Sequence, residues 1–337
     1  MKRRALGFAL AGLVISMAAL LLAFFRVRVA GGLRLEPRVP AGELTAALAG
    51  VRAGWLGAYA LVNVTTLGLR ALQLRALARR RDGTAPRIYA CYQAVAVAMA
   101  ATNLLPGRLS EALRVVTLAH ADDVQLASAT GAVVLGRVLD LLSLLAALSA
   151  PLLLLRLPAT HAHSLRLVAT IGLVVAALLV LLLVAFYRHR QRWTARVAGV
   201  WPRLAPLVGG FADGLSALAD RRRLAVAVLV SLAIPLTLAL SYGCALAAFG
   251  LDGLPAGSAL VLAAAVLCAI AVPSAPSALG VYHAVATWTL VALGAPAASA
   301  AAFALATHAI SVVSFVALGS AALTQLGGRA WLRARAA

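Results

Sequence analysis

Long apolar runs alternate with short arginine-rich segments along most of the chain. Uncharged runs of about 20 residues or more occupy 5–25, 88–107, 167–187, 224–251 and 253–328. A helix of that length matches a hydrocarbon slab about 30 Å thick. No polar stretch reaches the usual size of an independent domain. The pattern therefore predicts an all-α, polytopic integral membrane protein that forms a single domain over residues 1–337.

Two apolar regions are interrupted in the middle. Region 88–119 is broken at Pro106-Gly107, and region 254–293 is broken between Pro273 and Gly280. The second arm of each is too short to cross, at about 18 to 20 Å of helix. Both regions are predicted to be re-entrant helical hairpins, although kinked full spans remain the alternative because Pro and Gly are common in membrane helices. About six full spans are expected beside them: 5–25, 53–74, 125–155, 167–187, 224–249 and 299–326.

The distribution of basic residues favours the re-entrant arrangement. It places the N-terminus, 75–87, 188–223 and 329–335 in the cytoplasm with 19 basic residues, against 7 on the other side. Nine complete crossings would instead give 10 inside and 18 outside. The positive-inside rule thus predicts cytoplasmic N- and C-termini and hairpins that enter from opposite faces. Secondary transporters use broken helices of this kind to build a central site.

The net positive charge has a different interpretation in a membrane protein than in a soluble one. The chain is 63% hydrophobic and 12% charged, with a net charge of +20 from 29 arginines and Lys2 against ten acidic residues. A soluble protein with this balance would suggest nucleic acid. Here the arginines lie between apolar runs, so we expect topology anchors, anionic membrane lipids as partners and no nucleic acid. The cysteines lack metal-type spacing, and neither a metal nor a cofactor is expected.

Two further sets of residues are expected to contact headgroups. Segment 188–223 combines Trp193 and Trp201 with eight arginines, which is typical of an amphipathic segment in the cytoplasmic interface. Arg70 and Gln73, near the end of the second span, can snorkel to the headgroups and need no functional role.

Charged residues inside apolar segments are the strongest functional signal, since an Arg or Asp at the bilayer centre costs about 2.5 to 3.5 kcal/mol. Arg137 and Asp140 are three residues apart in one span, and Arg108, Glu111 and Arg114 occupy the second arm of the first hairpin. We expect the acids to hold arginines that bind a lipid phosphate through their planar guanidinium groups. The alternative is a structural Arg137–Asp140 pair with the other three residues in the interface.

Other polar residues give weaker signals. His120, Asp122 and Asp123 suggest a metal or acid/base cluster, but the aspartates directly precede a helix and are more typical of caps. His283 and His308 are candidates for headgroup donors or a proton-sensitive switch. A histidine bonded to a neighbouring membrane helix is an equally good interpretation of either one.

Two groups of residues form recognisable signatures. The first is Asn103-Leu104-Leu105-Pro106-Gly107-Arg108-Leu109-Ser110-Glu111-Ala112-Leu113-Arg114, followed by Arg137 and Asp140. The second is Pro273, Pro276, Leu279-Gly280-Val281-Tyr282-His283, then Leu293-Gly294-Ala295-Pro296 and Ala306-Thr307-His308. Both resemble the signatures of the lysylphosphatidylglycerol synthase transmembrane-domain family, also called the flippase-like domain family. The resemblance covers essentially the whole chain.

The chain departs from the family pattern at several positions. Ser110 stands where the family usually has glycine, and Ser277-Ala278 replace a small glycine-rich turn. His283 stands where many members have an acid, so any proton-coupling role of that acid is altered or absent. Bifunctional members add a soluble aminoacyl transferase domain, which this sequence lacks. The resemblance therefore implies lipid translocation or handling without aminoacyl transfer.

The predicted function is a membrane lipid translocator for a phospholipid or another lipid with a phosphate or polar headgroup. No P-loop motif is present, so it would work without ATP hydrolysis of its own. The headgroup site is expected at Arg108, Glu111, Arg114, Arg137 and Asp140, the second hairpin is marked by Pro273, Pro276, Gly280 and His283, and His308 is the candidate for coupling.

Two alternatives belong to other functional classes. A membrane-embedded transferase or hydrolase acting on a lipid-linked substrate would need the Asp122-Asp123 doublet and His120. A noncatalytic partner would dock a lipid-modifying enzyme through 188–223, and a homo-oligomer is also compatible with the sequence. In every case we expect an integral protein of the bacterial cytoplasmic (inner) membrane.

Overall fold

The computed structural model describes residues 2–28, 34–105, 109–154, 159–271 and 275–336. These residues form a largely helical chain. The elements in order are α1 (Lys2–Phe24), β1 (Phe25–Arg28), β2 (Arg34–Pro37), α2 (Ala41–Ala49), α3 (Ala53–Leu77), α4 (Ile88–Leu104), α5 (Leu109–Asp122), α6 (Leu126–Leu154), α7 (Ala159–Arg188), α8 (Arg190–Val200), α9 (Ala205–Gly214), α10 (Arg221–Ala248), α11 (Ser258–Ala271), α12 (Val281–Ala292) and α13 (Ala297–Ala336), with 3-10 turns at Ser216–Ala219 and Pro276–Ala278.

The apolar helices fit an all-α integral membrane protein. Within the described ranges, three helical stretches are long and apolar enough to span a bilayer: Leu126–Ala147, Arg221–Ala248 and Ala297–Gly327. A fourth is obtained if α2 and α3, which meet at 82°, are counted as one broken span. The number of six full spans stays a prediction. One element was not expected: β1 and β2 pair antiparallel, with Phe25 opposite Pro37.

Residues of the chain cluster into two compact units. Helices α3, α4, α10 and α13 contribute to both. The first unit comprises Met1–Thr65, Ala100–Leu109 and Leu236–Ala317, and the second comprises Thr66–Met99, Ser110–Pro235 and Leu318–Ala337.

The first unit has an aromatic core between membrane-type helices. Tyr59 of α3 stacks on Tyr242 of α10, which in turn packs against Phe303 of α13. Helices α11 and α12 pack against each other and supply Leu262 and Leu290, both fully buried, to the same cluster. The second broken region is therefore a helix pair packed on the first unit's core.

The second unit is arranged around α6, which packs on α7 and α9. At the contact with α9, Gly131 and Gly214 bring the two backbones together. A Cβ atom on Gly131 would collide with the Phe211 carbonyl, and one on Gly214 would collide with the Ser128 carbonyl. Only glycine fits at such a close approach.

The first broken region comprises α4 and α5, which are linked within the second unit. Leu113 of α5 packs against a buried cluster of Ala96 and Val97 of α4 with Ala322 of α13. The Asp122 carboxylate of α5 accepts bonds from the Arg87 backbone N–H at 2.5 Å and from its Nε at 2.8 Å. The start of α4 and the end of α5 are thereby joined. Asp122 consequently caps α4, and the prediction that it caps the helix following it is wrong.

Candidate functional site

Three helices of the second unit bring charged side chains together in an apolar surrounding. Helix α5 supplies Glu111 and Arg114, and α6 supplies Arg137 and Asp140. The i, i+3 spacing places each pair on one helical face. Four of the five predicted headgroup residues thus form one cluster, whereas Arg108 lies outside the described residues.

Arg137 connects the two helices. One of its terminal nitrogens pairs with Glu111 of α5, and the other donates to Asp140 Oδ2 at 3.0 Å. Arg114 lies 3.3 Å from the second Glu111 oxygen. Both acids therefore pair with arginines, and the binding of a lipid phosphate by these arginines stays a prediction.

Helix α3 contributes two residues that the sequence analysis did not assign to the site. Arg70 donates to Asp140 Oδ2 at 3.0 Å, and Gln73 Nε2 donates to Asp140 Oδ1 at 2.8 Å. Gln73 also contacts the Ser231 hydroxyl of α10 at 2.6 Å. The sequence allows Arg70 and Gln73 to snorkel to the headgroups with no functional role, whereas the structure bonds both side chains to Asp140. The signal was present in the sequence, since Arg70 is charged, lies well inside α3 and shares a face with Gln73.

The members of the cluster differ in exposure. The side chain of Arg114 is 8% exposed and that of Arg70 is 16% exposed, whereas Arg137 is 40% exposed. Among the described arginines of the cluster, Arg137 is therefore the one most accessible to a ligand. Each of its two terminal nitrogens is bound to one carboxylate, and the remaining N–H groups of the guanidinium are left for a ligand.

The cluster carries unsatisfied hydrogen-bonding capacity and one excess positive charge. Arg114 Nε is buried and has no hydrogen-bond partner among the described residues. A cavity of about 10 Å³ lies beside Arg70, Arg114 and Asp140, which is room for about one water. Three arginines face two carboxylates, so the five ionised groups sum to +1. The site in this conformation is cationic and incompletely neutralised.

The predicted residues of the second hairpin lie in the first unit. Pro276 begins the 3-10 turn, and Gly280 precedes α12 with φ +85°, where any side chain would collide with the Ser16 carbonyl. His283 and His308 are both buried, with ring centroids 4.6 Å apart. Pro273 lies outside the described residues.

The residues considered for a metal or acid/base site each have other partners in the described structure. Within the ranges that the structure describes, no group of three His, Cys, Asp or Glu side chains is placed to hold a metal. His120 bonds its own helix through the Val116 carbonyl at 2.9 Å. Asp122 is engaged by Arg87, and Asp123 pairs with Arg81 at 3.3 Å on the surface.

Comparison with known proteins identifies the family. The profile described as the lysylphosphatidylglycerol synthase TM region matches residues 4–319. No curated protein and no solved structure matches the chain. The matched range includes the whole charged cluster and both histidines of the first unit. The chain therefore belongs to the lysylphosphatidylglycerol synthase TM region family.

Proposed function

We propose that this protein is a membrane lipid translocator that moves a phosphate-bearing lipid without hydrolysing ATP itself. Membership of a lipid-related membrane-domain family supports a lipid substrate. The observation that carries the proposal is the charged cluster at Arg137, an arginine 40% exposed within a membrane-type helix. Its excess positive charge suits an anionic headgroup.

The acids of the cluster act as internal substitutes for the headgroup. In this conformation Glu111 and Asp140 neutralise Arg137, which lowers the cost of holding its charge in an apolar surrounding. A lipid phosphate also offers two oxygen acceptors to the guanidinium fork and takes the place of one carboxylate on Arg137. The cavity beside Arg70, Arg114 and Asp140 has room for about one water, at about 10 Å³, so the headgroup binds on the exposed Arg137 side of the cluster.

The proposed membrane arrangement follows the charge count and the geometry of the first hairpin. The link between Arg87 and Asp122 brings the two ends of α4–α5 together, which supports a re-entrant hairpin over a kinked full span. The distribution of basic residues supports cytoplasmic termini and hairpins entering from opposite faces. The proposed location is the bacterial inner membrane. Segment 188–223, with Trp193 and Trp201 exposed, suits the cytoplasmic interface.

The function is tested by lipid movement in reconstituted vesicles. A fluorescent phospholipid is incorporated, and a membrane-impermeant quencher measures its appearance in the outer leaflet without ATP. Arg137→Ala should reduce the initial rate by about 10- to 100-fold, the value of one lost charge-assisted hydrogen bond. Arg137→Lys should restore only part of the rate, because lysine keeps the charge but lacks the planar fork.

Arg192→Ala is the matched control, since Arg192 is an exposed arginine of α8 outside the cluster. It should leave the rate unchanged. Absence of movement with the unmodified protein, across anionic and zwitterionic phospholipids, would refute the function. Unmodified movement with Arg137→Ala would instead refute the site.

A further inference from the structure

The first unit contains a polar junction that the headgroup cluster does not explain. Ser277, in the break between α11 and α12, donates its hydroxyl hydrogen to Asn103 Oδ1 at 3.0 Å, near the break after α4. His308 of α13 lies 2.8 Å from the same hydroxyl and 2.9 Å from the Ser277 carbonyl. One histidine therefore holds the turn that joins the two broken regions.

The hydrogen bonds fix where the neutral rings carry their protons. The single hydroxyl hydrogen of Ser277 goes to Asn103, and a carbonyl only accepts, so His308 Nε2 must donate. His283 Nδ1 accepts the Gly280 N–H at 3.3 Å, so His283 carries its hydrogen on Nε2. A proton on His283 Nδ1 would turn this acceptor into a donor, so two N–H groups would face each other and the bond from Gly280 would be lost. The lone pair that can accept a proton without breaking these bonds is His308 Nδ1.

The surroundings allow one added proton and resist a second. The ring of Tyr282 lies 4.9 Å from that of His308, within the range of a cation–π contact. A second charge on His283, 4.6 Å from His308, would be repelled. Phe24 of α1 lies beside the His283 ring. The Tyr282 hydroxyl is hydrogen-bonded to the hydroxyls of Thr307 and Tyr242, and the Tyr59 hydroxyl donates to the Thr307 carbonyl. Within the described ranges, no carboxylate, lysine or arginine contacts either ring.

The conformation described is that of the neutral pair. His283 is 4% exposed and His308 is 8% exposed, so a charged imidazolium would be costly here. Ser277 and Ala278 have φ of 63° and 52°, which is unfavourable for residues with a Cβ atom. Protonation therefore favours a conformation in which the His308 ring reaches water or an anion. Such a conformation also releases the backbone strain at Ser277 and Ala278.

We propose that His308, paired with His283, is a binding site for a single proton whose occupancy opens the Ser277 turn and is coupled to lipid movement. The coupling to lipid rests on the proposed function, whereas proton binding and turn opening do not. Downhill proton movement would then supply the driving force for lipid movement, in a sequence without a P-loop motif.

Turn opening is tested by thiol labelling at Ala278→Cys in the full-length protein, with Cys91, Cys244 and Cys268 replaced by alanine. The labelling rate is compared between about pH 5.5 and about pH 7.5, on either side of an ordinary histidine pKa. The same measurement with His308→Gln, which keeps an N–H donor for Ser277 and does not titrate, corrects for thiol ionisation. His120→Gln, in a histidine outside the junction, is the control for other titrations.

With His308 present, labelling at the lower pH should exceed that of His308→Gln by about tenfold, as expected if proton affinity differs by one pKa unit between conformations. The His120→Gln protein should behave like the unmodified one. His283→Gln leaves His308 Nδ1 in place, and a neutral His283 does not repel the proton there, so the response to pH should be retained. Equal labelling with and without His308 at both pH values overturns the proton site, whatever the lipid results are.

The coupling is tested in the vesicle assay with a pH gradient imposed across the bilayer. Lipid movement by the unmodified protein should change rate when the gradient is reversed, and movement by His308→Gln should not. A response of labelling to pH without a response of lipid movement to the gradient overturns the coupling. If no lipid moves in any vesicle, the proposed function and the coupling fall together, while the labelling result still decides the proton site.

Discussion

Neutralising Asp140 is the sharpest test of how the charged cluster is held together. Asp140 accepts hydrogen bonds from Arg70, Gln73 and Arg137 at 3.0, 2.8 and 3.0 Å. Asp140→Asn keeps the shape of the side chain but replaces one acceptor with a donor. In either orientation of the amide, its NH₂ faces at least one donor of these three residues. The summed charge of the five ionised groups rises from +1 to +2.

The expected loss of stability follows from this geometry. Removing one partner of a buried ion pair lowers the free energy of unfolding by about 3 to 5 kcal/mol. The Asp140 side chain is 19% exposed, so a value near the lower end, about 3 kcal/mol, is expected. The matched control is Asp252→Asn, because Asp252 pairs with Arg52 at 3.3 Å while both side chains are about half exposed or more. That exposed pair contributes about 0 to 1 kcal/mol.

The measurement is the free energy of unfolding in detergent for both single variants and for Asp140→Asn combined with Arg70→Gln. The double variant returns the summed charge to +1 and should recover part of the loss, because the two sites are in direct contact. If Asp140→Asn cost no more than Asp252→Asn, the cluster would not be an energetically coupled network and our account of it would be wrong.

The remaining predictions concern packing and topology. Gly214→Ala should force α6 and α9 apart and cost about 1 to 3 kcal/mol, whereas Gly209→Ala, whose added methyl would meet Thr194 at an ordinary 3.7 Å, should be nearly neutral in the same unfolding measurement. Arg203→Cys, in protein with Cys91, Cys244 and Cys268 replaced, should escape a membrane-impermeant thiol reagent applied to intact cells. Labelling from outside would reverse the predicted orientation.

The spacing of charged residues along each helix predicts most of what the sequence reveals about the charged cluster. Glu111 and Arg114, like Arg137 and Asp140, are three residues apart on one helix, so their shared faces follow from helical geometry alone. The assembly of the two pairs was expected because unpaired charges in apolar segments are costly. The structure places Arg137 against Glu111, which agrees with that reasoning.

The contributions that were missed depend on contacts between distant parts of the chain. Arg70 and Gln73 reach Asp140 across about 70 residues of sequence, and helical periodicity does not specify which helices are neighbours. The same is true of Asp122, which caps a helix that begins well before it in the chain. The aspartate was correctly interpreted as a cap, but proximity in sequence indicated the wrong helix.

The glycine contact between α6 and α9 makes the protein suited to label-free optical measurement. With backbone against backbone at Gly131 and Gly214, no flexible side chain is available to absorb a displacement of α6, so α9 must follow it. Helix α8 packs on α9 and carries the exposed Trp193, and the exposed Trp201 lies directly between these two helices. Indole emission depends on the polarity around the ring. With Trp55, Trp288 and Trp331 replaced by phenylalanine, the emission of Trp193 and Trp201 is therefore expected to change when the helix that bears Arg137 and Asp140 moves.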